Sequence, residues 1–252
     1  MSAKGRRVTA RQIGLCLAGV AILLVGAAAV ASGGVDAILK YRVEMVHLTR
    51  QHILLVLYSG GPAIVAGVLL GIALTRRSLR RYCEPVLQVL NIVTAIPTLA
   101  IIALAMMALG VGKPPALVAL FLHALLPIVR NTVEGLRGLP PAELECARGM
   151  GMTPSQTLML VELPEALPII AQGVRVALVI NVGVAPLAFL VGGGGLGDLI
   201  FSGIDLFEPA MMLAGAIPTA ALAITLDFIL SRLTRLLVSP GIRNDDATVA
   251  QL

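Results

Sequence analysis

Apolar positions along this chain come in blocks rather than stripes. Runs without a single charge cover residues 12–35, 51–75, 85–112, 114–129, 176–197 and 209–226. Within them apolar side chains fill every direction around a helix, the pattern of segments that lipid surrounds, whereas a soluble helix keeps one polar face. A span needs about 20 residues at a rise of about 1.5 Å each, so the pattern predicts about six transmembrane helices. The fourth run is short, but Lys113 and Arg130 at its ends can extend to the interfaces. The fifth is expected to begin near Ile169, which places Arg175 among neighbouring helices or near the inner face. Backbone groups in lipid must pair within their own segment, and the alternating ten-residue segments of a barrel do not occur. The fold class is therefore all-α membrane protein.

Composition supports this. Of 252 residues 58% are hydrophobic and 13% charged, about half the charge of a soluble domain, and the mean hydropathy is +0.94. The formal net charge of +5 would suit nucleic acid or a membrane surface, and its distribution decides. Of the 19 lysines and arginines, only Lys40, Arg42, Arg50 and Lys113 fall on one side of the predicted spans. The rest lie in the N-terminal tail, in the loop after the second run, between residues 130 and 175, and in the C-terminal tail. By the positive-inside rule both termini and the loop between the fourth and fifth runs are cytoplasmic, and no nucleic-acid partner is expected. The first run is longer than a signal-peptide core and reads as a retained anchor; cleavage after Ala29-Val30-Ala31 would leave five spans. Cys16, Cys83 and Cys146 show no metal-ligand spacing. Cys16 is expected in lipid and the other two as cytoplasmic thiols without a disulfide.

The loop at 139–164 is too polar for lipid and carries its own folding signals. Pro140 and Pro141 suit a helix start, where the missing donor costs nothing, and Glu143 and Glu145 then lie near the positive end of the helix dipole. Gly149 and Gly151 end that helix. Thr153-Pro154-Ser155-Gln156 has the form of a capping box opening a second helix, which Pro164 and Pro168 are expected to close. Ala147 and Gly151, four apart, would offer a face with little side chain to an approaching protein, and Glu145 and Arg148 offer charge for pairing with it.

These residues resemble the EAA loop of binding-protein-dependent ABC importer permeases. Glu145-Cys146-Ala147, then Gly151, then Val161, Leu163 and Pro164 follow that pattern with its spacing intact, Cys146 standing for Ala and Val161 for Ile. In that family the loop is the coupling helix that docks on an ATPase subunit, which makes Glu145, Ala147, Arg148, Gly151, Leu163 and Pro164 the implied coupling residues. Further stretches resemble the osmoprotectant branch, whose substrates are glycine betaine, choline and carnitine. They are 91–98, 110–115, 126–132, 181–183 and 192–197. The resemblance implies a type I ABC importer permease fold, with a tail, first helix and outer loop at 1–50, a permease core at 51–238 and a C-terminal tail at 239–252. It also implies three partners besides membrane lipid: a cytoplasmic ABC ATPase, a periplasmic or extracellular substrate-binding protein, and a second permease chain, identical or similar.

Other features refine this reading. The glycine run at 192–197 is no phosphate cradle, because no Gly-Lys-Ser/Thr follows it and no GxxxxGK[ST] occurs in the chain. ATP hydrolysis is thus expected in a partner, with no cofactor here. Gly192, Gly194, Gly195 and Gly197 form either a flexible outer loop or, as the resemblance implies, an outer gate or docking surface. Polar residues inside spans bond between helices or face a path, and Asn91, Thr94, Pro97 and Asn181 are the candidate path residues. Pro97, Pro127 and Pro218 permit kinks. With 3% aromatic residues the chain has little material for an aromatic cage around a quaternary amine, so selection is expected in the binding protein. The alternatives are an ABC permease for another small solute, such as an amino acid, and an ion-coupled secondary transporter. The latter should carry paired carboxylates in its spans, where only Asp227 comes near.

Overall fold

A computed structural model describes residues 39–237. The predicted first span and both tails lie outside the described residues, and so does the assignment of Cys16. Among the described residues nine α-helices and no strand occur. Helix α1 is Arg42–Thr75, α2 Cys83–Ala95, α3 Thr98–Leu109, α4 Lys113–Arg137, α5 Pro141–Gly149, α6 Pro154–Thr157, α7 Leu163–Val184, α8 Gly197–Asp205 and α9 Pro209–Leu237. Short 3₁₀ segments at Arg80–Tyr82 and Ala185–Val191 and a π turn at Leu158–Glu162 link them.

Four continuous helical stretches are long and apolar enough to cross a membrane: Arg42–Thr75, Lys113–Arg137, Pro154–Val191 and Pro209–Leu236. The run at 85–112 differs from a single straight span. It breaks at Ile96 and Pro97, and α2 and α3 meet at 94°. The cause is local: Ile96 precedes a proline and is extended, with φ −71° and ψ 129°, as the proline ring demands, and Pro97 has no amide to continue the ladder. Counted as one bent span, this pair brings the described spans to five. Pro127 and Pro218 sit inside α4 and α9, which run on through them.

Helix α4 is the centre of the bundle, with α1, α2, α3 and α7 packed around it. Small residues set these distances. A Cβ on Gly67 would stand 2.7 Å from Ile128 of α4, and one on Gly71 2.5 Å from Thr132, so the Gly67-x-x-x-Gly71 face lets two backbones meet in the way helices associate in lipid. Gly173 does the same for α7, where a Cβ would lie 2.5 Å from Asn131 Cβ and 2.8 Å from the Pro127 carbonyl. Helix α9 is outermost: 17% of its apolar window is buried within the chain, against 50% for α4. It is nonetheless clasped to α7, because Arg175 donates from Nε and Nη2 to both carboxylate oxygens of Asp227, at 2.5 and 2.7 Å. A charged pair inside spans is costly unless each partner satisfies the other, and this two-pronged pairing accounts for Arg175 in α7 and Asp227 in α9.

Cys83 and Cys146, both expected as thiols without a disulfide, differ in burial. Cys83 is fully buried against Leu74, Leu90 and Val129, whereas Cys146 is exposed, and both are free.

Candidate functional site

At one end of the bundle, beyond α4, the chain forms an elbow. Helix α5 opens at Pro141 behind Pro140, as the proline pair predicts, and closes through a Schellman motif. Gly151 takes φ +77°, its amide donates to the Arg148 carbonyl at 2.9 Å, and Met152 donates to Ala147 at 3.1 Å. Two carbonyls left open by the helix end are thereby satisfied, and the left-handed backbone is what reserves the position for glycine. The capping box forms as expected: the Gln156 amide donates to Thr153 Oγ1 at 3.3 Å, and the Thr153 amide donates to Gln156 Oε1 at 2.8 Å.

The second arm differs from the expected short helix. Pro164 and Pro168 do not close it; from Pro154 to Val191 the chain is helical throughout. The device is the π turn. Leu163 donates to Leu158, five residues back instead of four, and the widened turn accommodates Pro164 in the first turn of α7. The outer arm of the elbow is thus rigidly continuous with a membrane span. The elbow is also tied to α1, since Arg76, one residue past that helix, pairs with Glu162 of the π turn.

Glu145 and Arg148 are exposed on α5, and Gly151 is exposed at the bend. Ala147 is not on that outward face. It is 1% exposed, turned towards the chain, so its small side chain lets α5 lie close on the second arm. Leu163 is half-buried and Pro164 exposed. Cys146, Met150, Met159 and Leu160 are outward as well, giving the elbow an exposed surface that mixes apolar and charged groups.

At the opposite end of the bundle lies the glycine run. It is a packed turn: Gly193, Gly195 and Gly197 are buried, and Gly192 is exposed. A Cβ on Gly197 would fall 2.0 Å from the Pro186 carbonyl. Gly192, Gly194 and Gly195 have φ of 74°, 76° and 92°. The Gly195 amide donates to Gln51 Oε1 of α1 at 3.1 Å, and Gly112 donates to Val191 at 2.6 Å, which fastens the turn to the start of α4. The geometry is a packed turn fastened to α1 and to the start of α4. Asp198, one residue on, has its Oδ1 buried without a hydrogen-bond partner among the described residues, and burial pushes its carboxyl above the ordinary range.

The four candidate path residues are not brought together. Asn181 is fully buried on α7 and donates to Ser59 Oγ of α1 at 3.3 Å. Asn91 and Pro97 are exposed, and Thr94 is half-buried and donates to the Asn91 carbonyl at 3.0 Å. Sequence reasoning missed the buried polar group beside Asn181. His52, fully buried, has Nε2 3.0 Å from the Val182 carbonyl, one residue along α7. His52 and Ser59 are seven residues apart, two turns of one helix face, and that spacing is the signal that could have found them.

Comparison with known proteins agrees with this architecture. Residues 63–240 match the family of binding-protein-dependent transport system inner membrane components. The chain belongs to that family. It is 43% identical over 212 residues to the osmoprotectant import permease protein OsmY of Salmonella typhimurium, covering 84% of this chain and 90% of that protein. It is 41% identical over 200 residues to the choline transport system permease protein OpuBB of Bacillus subtilis, covering 79% and 91%. The glycine betaine/carnitine/choline transport system permease protein OpuCB of Bacillus subtilis gives the same identity and coverage. Among solved structures, an inward-facing MetNI methionine ABC transporter superposes with a TM-score of 0.70 at 25% identity, over 79% of this chain and 99% of the other. The chain is a membrane permease component, and the bundle around α4 has the type I ABC importer permease fold.

Proposed function

We propose that this chain forms the translocation path of an ATP-driven importer for quaternary amine osmoprotectants such as glycine betaine, choline and carnitine. The elbow faces the cytoplasm and the glycine turn faces outward, because the arginines cluster at the elbow end. The observation that carries the reading is the elbow itself. A stiff, doubly capped bend presents Glu145, Cys146, Arg148 and Gly151 to an ATPase subunit. Leu163 and Pro164, in the π turn's continuation, pass any displacement straight into α7, while the Arg76–Glu162 pair passes it to α1. Ala147 serves this grip from behind, by seating α5. ATP hydrolysis belongs to that partner.

A substrate-binding protein delivers solute at the opposite end, where the turn through Gly192, Gly194, Gly195 and Gly197 is pinned to α1 and α4. Movement of α1 against α4 and α7 therefore changes this turn, which makes it the outer gate or docking surface. The path runs along Asn91, Thr94 and the break at Pro97, lined jointly with a second permease chain, while Asn181, buried against Ser59, holds α7 on α1 behind it.

Reconstitution with the ATPase and binding protein tests this. Hydrolysis should rise when loaded binding protein is added, and unlabelled betaine, choline or carnitine should compete for uptake where amino acids do not. Competition by an amino acid alone would transfer the importer to another solute. A membrane-impermeant thiol reagent should reach Cys146 in inside-out vesicles and not in intact cells; the reverse would invert the orientation.

A further inference from the structure

Between the elbow and the membrane end of α1 and α4 lies a cavity of about 810 Å³. Its walls carry five arginines, Arg76, Arg77, Arg80, Arg137 and Arg148, against two glutamates, Glu145 and Glu162. Arg76 is paired with Glu162 and Arg137 reaches Glu84 at 3.2 Å. Among the described residues no carboxylate lies within ion-pair distance of Arg77, Arg80 or Arg148. Cations that no carboxylate among the described residues pairs repel one another in one concave space unless an anion joins them.

The depth of the cavity says which anion. Arg76, Arg77 and Arg80 follow directly on Thr75, the last residue of the α1 span, and Arg137 is the last residue of the α4 span. The cavity thus opens at the level where the spans leave the hydrocarbon. Its remaining walls include Leu136, Leu139, Leu144 and Met152, which suit a glycerol backbone. Outside it, Leu79 and Tyr82 flank Arg80 and are 40% and 45% exposed, and Val89 and Ile92 continue an exposed apolar strip along α2. The Arg81 guanidinium lies 4.6 Å over the Tyr82 ring, an arrangement that suits the headgroup level.

We infer that this cavity is a binding site for the phosphate headgroup of an anionic phospholipid, with its acyl chains along α2. Arg77 and Arg80 grip the phosphate from the span side, and α5 closes the cavity from the elbow side. A bound headgroup therefore bridges the two parts that must move together in transport. The inference rests on the membrane architecture and on the elbow's proposed orientation; thiol labelling of Cys146 tests the orientation separately, and lipid binding can be read whatever that result.

The test is native mass spectrometry of the purified importer complex released from nanodiscs holding equal phosphatidylglycerol and phosphatidylethanolamine. The parent should retain about one phosphatidylglycerol per permease chain. Each arginine near an anionic surface is worth about fivefold in affinity, so Arg77→Ala with Arg80→Ala should weaken retention about 30-fold. Arg77→Lys with Arg80→Lys should keep most of it, and Arg235→Ala, at the exposed end of α9, should change nothing. Equal retention in the double alanine variant, or loss in the Arg235 variant alone, overturns the site. So does a photo-crosslinker at position 77 that captures the ATPase instead of lipid, since an acidic protein surface would then fill the cavity.

Discussion

Gly149 and Gly151 stand two residues apart at the end of α5, and replacing each by alanine should have opposite effects. A Cβ at either position meets nothing within 4 Å, so neither substitution has a steric cost from neighbours. The backbone alone separates them. Gly151 has φ +77°, where an L-residue pays about 1–2 kcal/mol; Gly149 is the last residue of α5, where alanine gains up to about 1 kcal/mol over glycine. The Met152 amide, bonded to Ala147, reports closure of the bend. Its hydrogen exchange should quicken about 5- to 30-fold in Gly151→Ala and slow by up to about fivefold in Gly149→Ala, measured on the importer in detergent at one pH. Exchange that moves in the same direction for both would show that solvent or side-chain crowding governs the bend and would refute the Schellman argument. If the bend transmits force, transport per ATP should fall in Gly151→Ala and hold in Gly149→Ala.

Three further outcomes follow from packing and charge. Gly173→Ala should cost about 1–3 kcal/mol by overpacking α7 on α4, whereas Gly61→Ala, with nothing within 4 Å of its Cβ, should be neutral or slightly stabilising; thermal exposure of the buried Cys83 thiol to a reactive dye measures both. Glu162→Gln should remove about 1–2 kcal/mol of the clasp to Arg76, the range for a hydrogen-bonded ion pair that solvent partly reaches, seen as faster exchange across 158–163 and looser coupling of hydrolysis to uptake. Asp198→Asn should raise thermal stability at neutral pH. Burial lifts the Asp198 carboxyl, so the folded chain binds its proton more tightly than the unfolded chain and gains stability as pH falls from neutral towards the ordinary carboxylate range. The asparagine variant should lose that part of the pH dependence, and an unchanged profile would contradict the burial argument.

The blocks of apolar residues announce the spans because lipid imposes one simple demand on every segment that crosses it. The elbow was readable for a different reason: its caps are local, and Pro141, Gly151 and the Thr153–Gln156 box act within one or two turns of themselves. What escaped is long-range or depends on a register shift. Pro164 looks like a terminator until Leu163 bonds to Leu158, since a π turn leaves no composition signature. The bend at Pro97 was anticipated as a kink, but its angle depends on where α3 packs against α4. Ala147 was assigned to an outward face by its spacing from Gly151, yet helix direction alone cannot say which side of α5 meets the rest of the chain. The pairings of Arg76 with Glu162 and Arg175 with Asp227 join residues 86 and 52 positions apart, distances over which a single sequence carries no contact signal. The glycine run shows the same limit, for its buried turn is pinned by Gln51, 144 positions from Gly195.

The grip between this elbow and a separate motor can be tested with a residue the protein already has. Cys146 is exposed on α5, beside Glu145 and Arg148. In membranes from cells making the whole importer, a short thiol-to-amine crosslinker should join Cys146 to the nucleotide-hydrolysing subunit, and the joined species should vanish in Cys146→Ser. A Cys146 that reacts freely with small thiol reagents but never captures that subunit would contradict the account.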